Sequence, residues 1–169
     1  LAVTYQGRLV FAKGYTIAEA TSEKVQSDSL FRIASISKPI TAVAVLHLVE
    51  QGKLQLDEKI TDILDMSPAP GGTVDSRLKD VTILHLLQHL GGWDRGKSFD
   101  PMFEDRRISE ELQVKLPIDT SHIIKFMNGQ KLQHKPGTVY AYSNYGYCIL
   151  GRVIEKRTGM EYGQYVKQE

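Results

Sequence analysis

The chain has 169 residues and carries 21 Lys and Arg against 20 Asp and Glu, so its charges nearly cancel. A balanced charge without a basic run gives no indication of nucleic acid or of an anionic membrane surface as a partner. The apolar run at 40–49 is too short to span a bilayer, so no membrane span is expected in this chain. A single cysteine, Cys148, excludes an internal disulfide.

The N-terminal residues predict a β-hairpin. Strand-like stretches at 2–5 and 8–12 flank Gln6-Gly7, a dipeptide suited to a tight turn, and the stretch 14–18 is compatible with a prolongation of the second strand past a bulge. A lone hairpin is not a stable sheet, and no later segment supplies more strands. We therefore expect the chain to be part of a longer protein, with the C-terminal remainder of the same protein as its partner.

Most of the remaining chain predicts helices. Residues 40–49 are apolar nearly all round, which is typical of a buried helix, and this helix would begin at Ser35 and end near Gly52. A loop is expected at 66–77 and a charged, irregular surface segment at 94–117. The other predicted helices are a short one within 54–64, one capped by Thr82 and stopped by Gly91, one from Asp119 or Thr120 to near Gly129, one from about Tyr145 to Arg157 closed by Gly159, and a last one from Tyr162.

Ser35 and Lys38 form an S-x-x-K pattern at the head of the apolar run. In a helix this spacing puts both side chains on one face, beside backbone N–H groups that have no helical partner. A hydroxyl, an amine and such donors are the parts of an activated nucleophile and of half an oxyanion hole. A purely structural interpretation stays open here, in which Ser35 caps the helix and Lys38 extends to solvent.

A second S-x-x-K match shows that the pattern alone does not identify a site. Ser76 and Lys79 have the same spacing, but they lie in the polar stretch after Gly71-Gly72 that predicts a loop. Ser35 instead precedes a predicted buried helix, where a lysine is costly unless it is paired or used. The context therefore favours Ser35.

A tyrosine and an asparagine precede the predicted helix at 145–157. Tyr142, Ser143 and Asn144 follow the Pro136-Gly137 turn, and either Ser143 or Asn144 could serve only as an N-cap. Tyr142 would then stand in the loop beside the helix start, where its phenol could reach a neighbouring site.

Together the two motifs resemble those of the penicillin-recognising serine hydrolases, which include class C β-lactamases, D-alanyl-D-alanine carboxypeptidases and esterases of the same fold. The likeness rests mainly on FRIASISKPITAVAVLHLVEQGKLQL at 31–56 and on PGTVYAYSNYGYCILGRVI at 136–154. The segment TILHLLQHLGGW at 82–93 is similar to the family's helix before its H-T-S-G turn, although here the turn reads H-L-G-G.

The resemblance implies a fold and a role for each motif residue. The fold would be α/β (an α+β sandwich), with a helical region packed on an antiparallel sheet, and 1–169 would be a single incomplete domain with a hairpin and lead-in at 1–34 and a helical region at 35–169. Ser35 would be the acylated nucleophile, Lys38 its activating partner and Tyr142 the proton shuttle. Asn144 would bind the amide side chain of an acylated substrate and hold Lys38. Which of Lys38 and Tyr142 is the base stays open.

The family's third motif, a Lys or His followed by Thr or Ser and Gly, is not found in this sequence. In the family its strand supplies the second oxyanion donor, and loss of one such donor costs about 100- to 1000-fold in rate, so this chain alone should be a weak enzyme. The resemblance implies no cofactor or metal, a small-molecule or peptide substrate such as a β-lactam, a D-Ala-D-Ala peptide or an ester, and a periplasmic or secreted location. The alternative is a non-catalytic binding, sensor or assembly domain.

Overall fold

The N-terminal hairpin has the predicted strands. In the computed structural model, which describes residues 1–16 and 24–169, strand β1 (Ala2–Tyr5) pairs antiparallel with strand β2 (Arg8–Ala12). The turn residues Gln6 and Gly7 have positive φ angles of 49° and 74°, as a two-residue hairpin turn of this kind requires. The register shifts between Val3 and Thr4, so an irregularity lies inside the hairpin. The predicted prolongation is wrong for residues 14–16, which are not in a strand, and residues 17 and 18 lie outside the described part.

The described residues fall into two compact units, Leu1–Ser35 and Ile36–Glu169, and each is described by itself. The hairpin belongs to the first unit. None of the described helices is both long and apolar enough to cross a membrane. The helices are α1 (Ser37–Glu50), α2 (Ile60–Ile63), α3 (Ile83–Leu87), α4 (Asp105–Leu112), α5 (Thr120–Met127), α6 (Asn144–Thr158) and α7 (Tyr162–Gln168), with 3₁₀ turns at Ala34–Ile36, Ser76–Asp80 and Pro101–Phe103.

Capping residues define the ends of several helices as the sequence predicts. The Thr82 hydroxyl accepts the backbone N–H of His85 at the start of α3, at 3.2 Å, and the Asp119 carboxylate accepts two backbone N–H groups at the start of α5. Gly159 ends α6 with a φ of 70°, and Gly52 follows α1 with a φ of 69°, conformations that glycine adopts without a steric penalty. These predicted boundaries are confirmed.

The core of the second unit is built around α6. One face of α6 is fully buried and packs against α1, α3 and α7. This packing brings the first turn of α1, which contains Lys38, close to the first turn of α6, which contains Asn144. The most deeply buried side chains of α1, α3 and α6 are Val45 and Leu48 from α1, Ile83 and Leu86 from α3, and Tyr145, Ile149, Leu150, Val153 and Ile154 from α6.

The prediction that α1 is buried all round is wrong. Val45 and Leu48 are fully buried, but Ile40, Val43 and Leu46 are 40%, 67% and 49% exposed. An apolar sequence indicates that a helix has no polar face, but it does not show which faces pack against other elements. Among the described elements, α1 packs mainly against α6 and α7.

Two segments predicted as irregular contain helices. The segment 94–117 contains α4, which has little apolar periodicity because Ile108 is the one apolar residue before its last position. Ile108 is fully buried, and an ion pair between Arg107 and Glu111, one turn apart at 2.8 Å, supports the exposed face. The second segment is the end of the 66–77 loop, where Ser76 begins a 3₁₀ turn that Asp75 caps through the backbone N–H of Arg77.

Candidate functional site

Ser35 lies in the 3₁₀ turn Ala34–Ile36, directly before α1 in the chain, and it is exposed. The prediction that the helix begins at Ser35 is therefore wrong by two residues, since α1 begins at Ser37 and its N-cap position is Ile36. No side chain makes a capping hydrogen bond at Ile36. Ser35 is the last residue of the first unit and Lys38 belongs to the second, so each is described within its own unit.

Lys38 lies in the first turn of α1 and is partly buried. Its Nζ donates a hydrogen bond to Oδ1 of Asn144 at 2.6 Å, across 106 residues of sequence. A buried ammonium requires polar partners, and an amide oxygen supplies one without adding a charge. The structure therefore brings two of the four predicted site residues into direct contact.

The local sequence before α6 explains why Asn144 faces α1. Ser143 is the N-cap of α6, and its hydroxyl accepts the backbone N–H of Gly146 at 3.0 Å. Ser143 has extended backbone angles, so the chain turns into the helix at this residue and Asn144 becomes the first helical position. Of the two open capping assignments, Ser143 is the cap and Asn144 has another role.

Tyr142 lies in the extended segment before this cap, as predicted, and its ring has two cations beside it. Lys38 Nζ is 4.8 Å from the ring centroid, and Arg95 Cζ is 5.0 Å from it. Distances under about 6 Å allow an attractive cation–π interaction. The ring of His89 lies at 4.6 Å, in a tilted arrangement. Three of the four predicted site residues, Lys38, Tyr142 and Asn144, thus lie together in the second unit.

His89 supports this cluster from the loop after α3. Its Nδ1 accepts the backbone N–H of Ser143 at 3.2 Å, and its backbone carbonyl accepts the N–H of Ala141 at 2.9 Å, so the segment with Tyr142 is tied to this loop at two points. Burial, and next the charge of Lys38, lower the pKa of His89 below its ordinary value. A neutral imidazole suits the acceptor role of Nδ1.

Asp100 and Arg95 complete the cluster, and the sequence reasoning missed both. The Nδ2 of Asn144 donates to Oδ2 of Asp100 at 2.6 Å, and Arg95 Nη1 lies 3.3 Å from the same oxygen. Both residues lie in the segment 94–117 that was predicted to be irregular surface. The signal that could have singled out Asp100 is the Asp-Pro pair at 100–101, which is typical of a helical N-cap followed by proline.

The second S-x-x-K copy has different surroundings. Ser76 and Lys79 are exposed in the 3₁₀ turn, and the ordered contacts beside them are those of Arg77 with Asp75 and with the carbonyl of Leu132. Across residues 1–16 and 24–169, no group of three His, Cys, Asp or Glu side chains is placed to hold a metal ion.

Comparisons with known proteins identify relatives of the chain. It is 39% identical over 132 residues to a protein named putative fimbrial assembly protein FimD, serogroup D, of Dichelobacter nodosus, covering 78% of this chain and 30% of that protein. It is 32% identical over 165 residues to Esterase EstB of Burkholderia gladioli, covering 93% of this chain and 40% of the esterase.

A solved structure agrees with the fold. The octameric penicillin-binding protein homologue from Pyrococcus abyssi matches with a TM-score of 0.76 at 29% identity, covering 99% of this chain and 36% of that chain. The chain therefore spans between 30% and 40% of the length of these three proteins. Its mixed helix-and-sheet fold is that of the penicillin-binding proteins and β-lactamases.

A family model described as Beta-lactamase matches residues 1–169. Relatives of this fold include penicillin-binding proteins, esterases and amidohydrolases, which are serine hydrolases. The chain belongs to the β-lactamase family.

Proposed function

We propose that this chain is the nucleophile-bearing part of a serine hydrolase that acts through an acyl-enzyme on Ser35. The substrate would be a β-lactam, a D-Ala-D-Ala peptide or an ester, and residues 1–169 would form part of one domain that the C-terminal remainder completes. The observation that carries the proposal is the 2.6 Å hydrogen bond from Lys38 to Asn144, with Tyr142 beside the same ammonium. Residues from two motifs about a hundred positions apart meet at one point, which the structural interpretation of either motif alone does not require.

Each residue has a chemical task in this proposal. Ser35 Oγ bonds to the carbonyl carbon of the substrate while its proton passes to the Lys38–Tyr142 pair, since a serine hydroxyl is a weak nucleophile without a base. The tetrahedral intermediate then loses the leaving group, which takes up that proton. Water attacks the acyl-enzyme, one water proton passes through the same pair to Ser35 Oγ, and the carboxylic acid product leaves.

The Asn144 amide has enough hydrogen-bond donors and acceptors for its two proposed tasks. Its Oδ1 accepts from Lys38 and its Nδ2 donates one hydrogen to Asp100. A side-chain amide has two N–H hydrogens, so the second remains for the carbonyl oxygen of a substrate amide. Asn144 can therefore hold Lys38 and bind substrate at the same time.

The cations beside Tyr142 support its role as proton shuttle. A phenol takes part in proton transfer near neutral pH only where positive charge stabilises its phenolate form. Lys38 and Arg95 place two such charges within about 5 Å of the ring. The proposal leaves open which member of the Lys38–Tyr142 pair accepts the serine proton first.

A non-catalytic function is the second candidate, and one observation favours it. The relative from Dichelobacter nodosus carries a name that refers to fimbrial assembly. Under this alternative the same fold would bind a partner or peptide without turning it over, and the Lys38–Asn144 contact would be structural.

Mass spectrometry of the full-length protein after exposure to a labelled penicillin or an activated ester tests the proposal. We expect an adduct on the peptide that contains Ser35, absent in Ser35→Ala and retained in Ser76→Ala, the matched control at the second S-x-x-K copy. An adduct that survives Ser35→Ala would contradict Ser35 as the nucleophile. No adduct with either reagent, together with equal hydrolysis by wild type and Ser35→Ala, would favour the non-catalytic alternative.

A further inference from the structure

Asn144 has to present a defined end of its amide to Lys38. The two ends have similar shapes and opposite hydrogen-bonding character, because the oxygen only accepts and the nitrogen only donates. A bond to the Lys38 ammonium requires the oxygen on that side, and the structure has this arrangement, with Lys38 Nζ and Asn144 Oδ1 2.6 Å apart. Something on the other side must then accept from the nitrogen.

That acceptor is Asp100. Its Oδ2 lies 2.6 Å from Nδ2 of Asn144, and only 12% of its side chain is exposed. A carboxylate accepts hydrogen bonds and donates none, so an Asn144 amide turned the other way would place oxygen against oxygen here and nitrogen against the ammonium. Asp100 thereby selects one of the two amide orientations.

Asp100 is itself held in place by its neighbours. Its Oδ1 accepts the backbone N–H of Met102 at 3.2 Å, as the N-cap of the 3₁₀ turn, and its Oδ2 receives Arg95 Nη1 at 3.3 Å. The loop that carries Asp100 is anchored at its start, where Asp94 Oδ2 lies 2.9 Å from Nε2 of His134 and the Asp94 backbone N–H donates to Gln133. The acceptor is therefore fixed independently of Asn144.

Arg95 connects this carboxylate to the aromatic side of the cluster. Its guanidinium lies beside the Tyr142 ring, at 5.0 Å, while it also reaches Asp100. The carboxylate of Asp100 thus pairs directly with Arg95 and is linked to Lys38 through the Asn144 amide, and both cations lie beside the Tyr142 ring. A change of charge at Asp100 alters the electrostatic balance of the whole cluster.

We infer that Asp100 is a positioning residue of the site: it fixes the amide of Asn144 so that Oδ1 faces Lys38, and it balances the two cations beside Tyr142. This inference rests on the proposed function, because the positioning matters for catalysis only if the cluster serves Ser35. It assigns no contact between Asp100 and substrate.

The test uses Asp100→Asn in the full-length protein, with Asp80→Asn as the matched control at an exposed carboxylate. The new amide oxygen can still accept the backbone N–H of Met102, so the 3₁₀ turn keeps its cap, but its nitrogen then faces Nδ2 of Asn144 and no longer favours the orientation with Oδ1 toward Lys38. We expect kcat/KM to fall about 10- to 100-fold in Asp100→Asn, since small errors in positioning have effects of this size. Asp80→Asn should match the wild type.

Two further measurements separate positioning from a merely structural role. Loss of the carboxylate should move the pH–rate profile of Asp100→Asn to lower pH, because a negative charge beside two cations has been removed. In ¹⁵N-labelled protein the side-chain amide resonances of Asn144, assigned with Asn144→Ala, should also shift in Asp100→Asn and stay unchanged in Asp80→Asn.

The outcomes distinguish this inference from the proposed function. Unchanged Asn144 amide resonances in Asp100→Asn, or a loss of rate with an unmoved pH–rate profile, would overturn the inference while the acyl-enzyme on Ser35 stands. A wild-type protein that forms no adduct at Ser35 would overturn the proposed function and, with it, the positioning role of Asp100 in catalysis. Arg95→Gln, which retains Asp100, should produce a smaller fall in kcat/KM and leave the Asn144 resonances largely in place.

Discussion

The hydrogen bonds of Asn144 can be tested by replacing its amide with a carboxylate. Asn144→Asp keeps the shape of the side chain and its acceptor for Lys38, but it replaces the donor that faces Asp100 with a second carboxylate oxygen. In the wild type these two side chains are 2.6 Å apart, and the bond joins an amide to a largely buried carboxylate. Loss of a hydrogen bond to a charged group costs about 1.5–3 kcal/mol.

Repulsion between the two carboxylates adds to this cost. Two like charges about 4 Å apart repel by about 4 kcal/mol at an effective dielectric constant of about 20. Lys38 and Arg95, which contact the two side chains, offset part of this term. We expect the free energy of unfolding of Asn144→Asp to be lower than that of the wild type by about 3 kcal/mol at pH 7.5.

The difference in free energy of unfolding between wild type and Asn144→Asp should decrease at acidic pH. The two facing carboxyls share a proton more readily than isolated ones, so the pKa of the pair is raised in the folded state of Asn144→Asp. A group with a raised folded pKa contributes stability below its unfolded pKa and loses it as pH rises through the folded value. The difference from wild type should therefore be smaller at pH 4.5 than at pH 7.5.

Urea unfolding of the full-length protein at the two pH values measures this difference. The double variant Asn144→Asp with Asp100→Asn exchanges donor and acceptor, which restores the bond, so it should recover most of the loss with a coupling energy of about 2 kcal/mol or more. Additive effects in the double variant, together with an equal deficit at both pH values, would refute the role assigned to the Asn144–Asp100 bond.

Three further predictions concern pKa values outside this bond. Hydrogen bonds from Arg77 hold the pKa of Asp75 well below its usual value, so Asp75 contributes stability above pH 3.8 that is lost as pH falls. The free energy of unfolding of Asp75→Asn should therefore decrease less in acid than that of the wild type. Acid unfolding curves that coincide with wild type would contradict this prediction. NMR titration of His89 should give a pKa below 6.5 that rises part of the way back in Lys38→Met, because burial remains, whereas no change would argue against a charged Lys38 at this position. Partial burial raises the pKa of Cys148 to about 11, so iodoacetamide should label it slowly at pH 8 and faster in urea; equal rates would contradict this effect of its surroundings.

The sequence was sufficient to predict elements whose signals are local. The hairpin at 2–12 follows from Gln6-Gly7, and the ends of α3, α5 and α6 follow from Thr82, Asp119 and Gly159, because turn and cap residues act within a few positions of themselves. The meeting of Lys38, Tyr142 and Asn144 was also expected, but only through the family resemblance of the two motifs.

The parts that sequence reasoning missed depend on long-range packing. The exposed face of α1, with Val43 67% exposed, has the same apolar composition as its buried face, so composition could not separate the two. Asp100 and Arg95 lie in a segment without apolar periodicity, and their importance comes from contacts with Asn144 and Tyr142 more than forty residues away. A sequence pattern carries no record of such contacts.

The rate of adduct formation at Ser35 in wild type and in Lys38→Met tests the central claim most directly, because it asks whether the Lys38 cluster serves the serine. A methionine retains the length of the side chain and removes the amine, and general-base assistance contributes about 10²- to 10⁴-fold in rate. With an activated ester and the full-length protein, we expect a fall of that size in the rate constant for adduct formation. An unchanged rate constant, with the adduct still at Ser35, would contradict it.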